Sequence, residues 1–300
     1  MSEHVREIKG VKSPTKIKGS GWKDIVLNVK DQIAEDNVSI VSAGVAFYAF
    51  LAVFPAILSL ISIYGLAVSP EQIQNQLSQL SGMMPQEAFG ILESQIENFM
   101  STSGKTLGWG TALGILFSLW SANKGTKSLF IGVDIAYGTD EPRGFIKENA
   151  LALLFTLGAV ILVIISMALI VAYPAIVHML GLPSGIETLI GWGRWLLLAA
   201  IVVFFLSLVY KYAPPRTTPA FKWVLPGALL ATILWLVASW GFSYYVSNFG
   251  SYGEVYGSIS AVVVLLMWLF LTSFIILLGA ELNSETEKHV RKKGFGAIKK

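Results

Sequence analysis

The stretch Ser121–Asp140, SANKGTKSLFIGVDIAYGTD, decides how this chain is organised, because it separates two very hydrophobic segments. It is too charged to cross a bilayer and too apolar for an ordinary solvated loop. At helical spacing one face collects its apolar side chains: Thr126, Leu129, Phe130, Val133 and Tyr137. Lys124, Lys127 and Asp134 lie away from that face. The spacing predicts an amphipathic helix that lies at a membrane surface.

The composition supports a membrane protein. Hydrophobic residues make up 54% of the chain, charged residues 14%, and the mean hydropathy is +0.64. A soluble domain carries about 25% charged residues. Cysteine is absent, which excludes disulfides and thiolate metal sites.

Six apolar runs approach the length of about 20 residues that a spanning helix needs. They are 38–66, 106–122, 150–179, 189–211, 223–246 and 257–281. We therefore predict an all-α polytopic membrane protein with six transmembrane helices in a domain at 21–283. A disordered basic tail at 1–20 and a basic tail at 284–300 are expected on either side.

The basic residues predict the orientation. Nearly all of the 22 Lys and Arg residues fall before the first run, after the second, after the fourth and after the sixth. Lys105 and Arg194 are the exceptions. Because Lys and Arg concentrate in cytoplasmic loops, both termini are predicted to be cytoplasmic.

Counting the helix at 122–137, three amphipathic segments lie outside the central parts of the runs. Those at 22–35 and 122–137 are predicted to be cytoplasmic surface helices, and that at 70–101 an outer segment. The helix at 122–137 fits either a simple anchor or an element that contacts lipid headgroups. The outer segment fits packing onto the bundle, a lid, or a docking face for a partner.

Motifs for catalysis are missing from the sequence. The three histidines have no neighbouring ligand at metal spacing, and STSGKT lacks the first glycine of a phosphate-binding loop. We expect no metal and no cofactor. The middles of the six runs also lack Asp, Glu, Lys, Arg and His, whereas ion-coupled carriers usually keep such residues there. An interior of this kind favours lipids over ions.

The candidate substrate-binding residues follow from that preference. An anionic headgroup would meet positive charge at the inner leaflet, and acyl chains would lie along the uncharged helices. The candidates are Asn123, Lys124, Lys127 and Asp134 at the inner surface, Tyr48, Tyr252 and Tyr256 as polar contacts, and Glu281 at the inner interface.

Several segments resemble one known family. AGVAFYAFLAVFP, LWSANKGTKSLFIGVDIAYG, YKYAPPR and the long run from GALLATILWLVASW to LLGAELN are similar to the YihY/BrkB family of bacterial inner-membrane proteins. The similarity runs from about Trp22 to Asn283. It implies a six-helix, multi-pass protein of the inner membrane, associated with envelope integrity and, for some members, with lipid movement.

Three functions are left open by the sequence. The first is a protein that handles or translocates a lipid, with anionic headgroups at the cytoplasmic face as partners. The second is a non-transporting scaffold that holds an envelope protein through 70–101. The third is a nuclease, because the family carries an old label as ribonuclease BN. We expect no enzyme and no nucleic-acid partner, because a metal-dependent nuclease needs clustered ligands. The sequence indicates no oligomeric state.

Overall fold

The computed structural model describes residues 14, 17–67, 104–139, 144–167, 169, 184–215, 219–248 and 258–296. Its elements there are helices, which confirms the predicted all-α class for the described part of the chain. The helices are α1 (Gly19–Glu35), α2 (Val38–Ala67), α3 (Gly104–Tyr137), α4 (Phe145–Met167), α5 (Ser184–Tyr212), α6 (Phe221–Asn248) and α7 (Ser258–Gly296).

Four of these helices hold stretches that are long and apolar enough to cross a membrane: Phe145–Ser166, Gly191–Tyr212, Phe221–Val246 and Ser260–Val290. The pair Gly19–Glu35 and Val38–Val53 would count as a fifth if its two bent parts form one span. The described residues therefore support four or five of the six predicted spans.

A sharp corner joins α1 to α2, and the two helices meet there at 65°. Asn37 has a positive φ of 50°, a left-handed conformation that Asn adopts more readily than most residues. Its backbone N–H donates to the Ala34 carbonyl at 3.3 Å, and its own carbonyl accepts from Ile40 at 2.9 Å. The turn places Asp36 directly at the corner.

The chain divides into two compact units. One holds residues 1–47 and 125–300, and the other holds residues 48–124. The first unit contains α1, the start of α2, the end of α3, and α4 to α7. The second contains the rest of α2 and the first part of α3.

The core of the larger unit forms where the ends of five helices meet the apolar part of α7. It joins Val38 of α2, Ala136 of α3, Ala152 of α4, Ala213 beyond α5, Val224 of α6 and Ala280 of α7. These are the ends that the pattern of basic residues places on one side of the membrane. The assignment of that side to the cytoplasm stays a prediction of the charge pattern.

Helix α3 runs without a break from Gly104 to Tyr137, so the predicted second span and the predicted surface helix at 122–137 are one continuous element. Its apolar face is buried in the core, where Phe130 packs edge-on against Phe155 with ring centroids 5.5 Å apart. A Cβ atom on Gly132 would lie 2.8 Å from both Leu277 and Val41, so glycine lets α3 approach α7 and α2 closely. The amphipathic pattern therefore reflects packing against neighbouring helices.

Helix α7 also exceeds its predicted bounds. The sixth span was expected to end near residue 281 and a tail to begin at 284, but the helix continues to Gly296. Its 39 residues measure about 58 Å, against a hydrocarbon core of about 30 Å. A large part of α7 must therefore lie outside the hydrocarbon, and the polar sequence that follows Ala280 is that part.

Candidate functional site

The polar end of α7 (residues 279–286) is buried at every position. Five of these eight residues carry polar or charged side chains: Glu281, Asn283, Ser284, Glu285 and Thr286. A helix buried all round needs neighbours on every side, and α1 and α6 both contact α7. Buried polar groups cost free energy unless they find partners, so their contacts define what this site does.

Two glycines bring α6 and α7 into direct backbone contact. A Cβ atom on Gly279 would lie 2.7 Å from the Gly227 carbonyl oxygen, and one on Gly227 would overlap the Gly279 carbonyl oxygen. Small residues at such a crossing let helix backbones approach closely. The Tyr210 hydroxyl of α5 closes the same crossing by donating to the Ile276 carbonyl at 2.7 Å.

The close crossing lets Asn283 reach the backbone of α6. Its Oδ1 atom accepts from the Gly227 N–H at 2.7 Å, and its Nδ2 atom donates to the Val224 carbonyl at 2.9 Å. Pro226 lies between those two residues and has no N–H to donate. The buried amide thus supplies both a donor and an acceptor to the α6 backbone beside Pro226, and it fixes the register of α6 against α7.

Glu281 is the least expected member of the site. Its side chain is 0% exposed, and no donor among the described residues reaches either carboxyl oxygen. It faces the carboxyl group of Asp36, at the α1–α2 corner, within hydrogen-bonding reach. Two carboxyl groups make a hydrogen bond only when one of them carries a proton.

Helix α1 covers this end of α7 through apolar and polar contacts. Ile25 and Val29 pack with Leu282 in a small buried cluster. Lys288 pairs with Glu285 at 2.8 Å and donates to the Gln32 side chain of α1 at 3.3 Å. Lys288 thus pairs directly with Glu285, so only part of its positive charge acts on Glu281.

The site combines carboxyl, amide and hydroxyl groups without clustered metal ligands. Within the part of the chain that the structure describes, no group of three or more His, Cys, Asp or Glu residues is arranged to hold a metal ion. The contacts of these groups hold α1, α6 and α7 together.

A family model, described as virulence factor BrkB, matches residues 29–297. The chain belongs to the BrkB family. That range contains the α1–α2 corner, the α6–α7 crossing and the whole polar end of α7, so the site lies inside the region that defines the family.

Individual relatives agree with the family match. The chain is 29% identical to the ribonuclease-like protein YfkH of Bacillus subtilis (strain 168) over 84% of its own length and 90% of that protein. It is 41% identical to the UPF0761 membrane protein XAC0937 of Xanthomonas axonopodis pv. citri over 98 residues, 31% of its own length. The same identity and extent hold for a UPF0761 protein of Xanthomonas oryzae. The matched part is 23% of each Xanthomonas protein. No solved structure matches the chain significantly.

Of the predicted binding residues in this BrkB-family chain, Lys127 is committed to a structural role. Its Nζ atom donates to the Asn149 side chain at 2.6 Å and lies 3.7 Å from the Glu148 carboxylate. Both partners lie in the first turns of α4. This contact joins α3 to α4, and it uses the Lys127 ammonium group that was predicted to meet a headgroup.

Lys124 has a different environment in the smaller unit. Its Nζ atom lies 5.7 Å from the centre of the Trp120 ring, and Trp120 is 53% exposed. Beside it, Asn123 has a buried Oδ1 atom without a hydrogen-bond donor among the described residues. Tyr48, also in this unit, is half-buried.

The remaining predicted residues separate into two groups. Asp134 is half-buried in the larger unit, and its backbone carbonyl accepts from the Thr139 N–H at 3.0 Å. Tyr252 and Tyr256 lie outside the described residues, as does the outer segment 70–101. Glu281, described above, is buried among the helices, and its position at the inner interface stays a prediction.

Sequence reasoning missed Asp36 and the role of Asn283. Asp36 follows an amphipathic helix, where a carboxylate is ordinary, and its partner lies 245 positions away along the chain. A usable signal was the run ELNSET after the last apolar segment, because five polar residues in continued helix need either solvent or partners.

Proposed function

We propose that this BrkB-family protein binds and translocates a lipid across a bacterial inner membrane, with its termini in the cytoplasm. The observation that carries the proposal is the position of the charged and apolar side chains along the predicted spans. The middles of the predicted spans contain no Asp, Glu, Lys, Arg or His, and residues of these types lie near or beyond the span ends, as His178, Arg194 and Glu281 do.

Helix α4 illustrates the lipid-facing surface. Leu154, Ile161 and Ile164 are more than half exposed, and from Ala150 to Met167 the sequence contains no charged residue. Exposed apolar surface of this kind is stable in hydrocarbon and unstable in water. Acyl chains are the substrate groups that match it.

A headgroup contact is proposed at Lys124. The pairing of a lysine with an exposed tryptophan, Trp120, is typical of the interface between hydrocarbon and headgroups. A lysine near an anionic leaflet attracts it by about 1 kcal/mol. Lys127 is excluded from this role in the proposal, because Glu148 and Asn149 already occupy its ammonium group.

Transbilayer movement of lipid in reconstituted vesicles tests this function. Protein-containing vesicles should expose inner-leaflet fluorescent phosphatidylglycerol to an external quencher faster than protein-free vesicles do. Lys124→Gln should slow that movement without changing the amount of reconstituted protein.

Lys211→Gln is the matched control. Lys211 also lies against an aromatic ring, 4.0 Å from the centre of Phe221, but at the end of a different helix. It should leave the rate unchanged if Lys124 is the specific contact. Equal rates in protein-containing and protein-free vesicles would overturn the proposal.

A further inference from the structure

We infer that Asp36 and Glu281 form a proton-binding site, in which one shared proton joins the α1–α2 corner to the polar end of α7. Glu281 is wholly buried on the part of α7 that α1 covers, and Asp36 caps the end of α1. The two carboxyl groups lie within hydrogen-bonding reach of each other. Without a proton, both groups are acceptors and repel each other.

A second observation is independent of the carboxyl pair itself. Glu281 is wholly buried, and neither of its carboxyl oxygens receives a hydrogen bond from a described donor. A buried carboxylate in that state would lack both solvent and donors, which is a costly arrangement. A proton between the two groups supplies the missing donor and removes one negative charge.

The surrounding charged groups do not replace the proton. On α7, Glu285 adds negative charge near Glu281, whereas Lys288 is the nearby cation. The Lys288 ammonium group lies 2.8 Å from the Glu285 carboxylate and also bonds to Gln32 of α1. On α5, Tyr210 uses its hydroxyl to bond to the Ile276 carbonyl. Asp36 is thus the carboxyl group that faces Glu281 from outside α7.

The shared proton has a structural consequence for α1. Asp36 ends that helix, and the buried residues Ile25 and Val29 pack on the same end of α7 through Leu282. Proton binding therefore stabilises the docked position of α1 over the polar end of α7. This inference does not depend on lipid transport, because it concerns how the chain holds its own helices.

Infrared difference spectroscopy in lipid tests the proton directly. The wild-type protein should show the C=O stretching band of a protonated carboxyl group at neutral pH. Glu281→Gln should lose that band, and Asp36→Asn should shift it, because the hydrogen-bond partner changes. Glu285→Gln, which alters the neighbouring buried carboxylate, should leave the band in place.

Docking of α1 provides a second readout that does not require the spectral assignment. The chain has no cysteine, so Val29→Cys introduces a single buried thiol and Val26→Cys a thiol at a position that is 59% exposed. Maleimide should label Cys at 29 slowly in both the wild-type and Glu281→Gln backgrounds, because the Gln amide donates to Asp36 as the proton does. Cys at 26 should be labelled quickly in both.

Two outcomes would overturn the inference. One is a wild-type spectrum without a protonated carboxyl band, which decides the matter even if the variants fail to fold. The other is faster labelling of Cys at 29 in the Glu281→Gln background, which would mean that a negative charge on Glu281 holds α1 in place. A transport defect with the band intact would instead concern the proposed function alone.

Discussion

Helix α7 contains two regions with opposite burial. In its first half Val263 and Met267 are apolar and nearly half exposed, whereas in its second half Glu281, Asn283 and Thr286 are polar and 0% exposed. A soluble protein shows the reverse order. The difference shows that the first region has hydrocarbon as its solvent, so its contacts add little hydrophobic stabilisation. The polar end of α7 supplies specific bonds, and it should respond most strongly to mutation.

The largest expected effect comes from the α6–α7 crossing. Gly227→Ala places a methyl group against the Gly279 carbonyl oxygen, which is α7 backbone, and against the Asn283 amide, which is hydrogen-bonded to the α6 backbone. Overpacking of this kind costs about 1–3 kcal/mol and occasionally more, and we expect the upper part of that range because backbone must move.

Gly241→Ala is the matched control for the crossing. It is the same substitution in the same helix, and a Cβ atom there would meet no neighbour within 4 Å. Thermal unfolding in one detergent should show a clear fall in Tm for Gly227→Ala and none for Gly241→Ala. Equal effects at both positions would mean that the glycine contact does not hold the helices together.

A smaller loss is expected for Asn283→Ala. The change removes the bonds to the Gly227 N–H and the Val224 carbonyl, and it should cost about 1–3 kcal/mol because buried polar groups lose their partners. Thr232→Val is a suitable control, because among the described residues the Thr232 hydroxyl bonds within its own helix, to the Ala228 carbonyl at 2.8 Å. The unfolding midpoint should fall more for Asn283→Ala, and the reverse ranking would contradict the proposed role of the amide.

The sequence predicted the helical class because apolar runs of spanning length have few alternatives in a membrane protein. It could not predict the site, because Asp36 and Glu281 meet only through tertiary packing. The predicted apolar face of the helix at 122–137 shows the same limit of prediction from sequence. Phe130 and Val133 do share a face, but periodicity alone does not distinguish a face that meets lipid from one that meets α4 and α7. Likewise, Lys127 was an obvious basic residue, whereas its partner Asn149 carried no signal.

We propose that this BrkB-family protein handles lipid, and we expect that it does not cleave RNA. The most direct test of this proposal combines two assays on one purified preparation: mass spectrometry of the lipids that remain bound, and cleavage of transfer RNA with and without divalent metal. The account predicts bound anionic phospholipid that is reduced in Lys124→Gln, and no cleavage under either condition. RNA cleavage that is lost in Glu281→Ala or His289→Ala, with no bound lipid, would contradict the account.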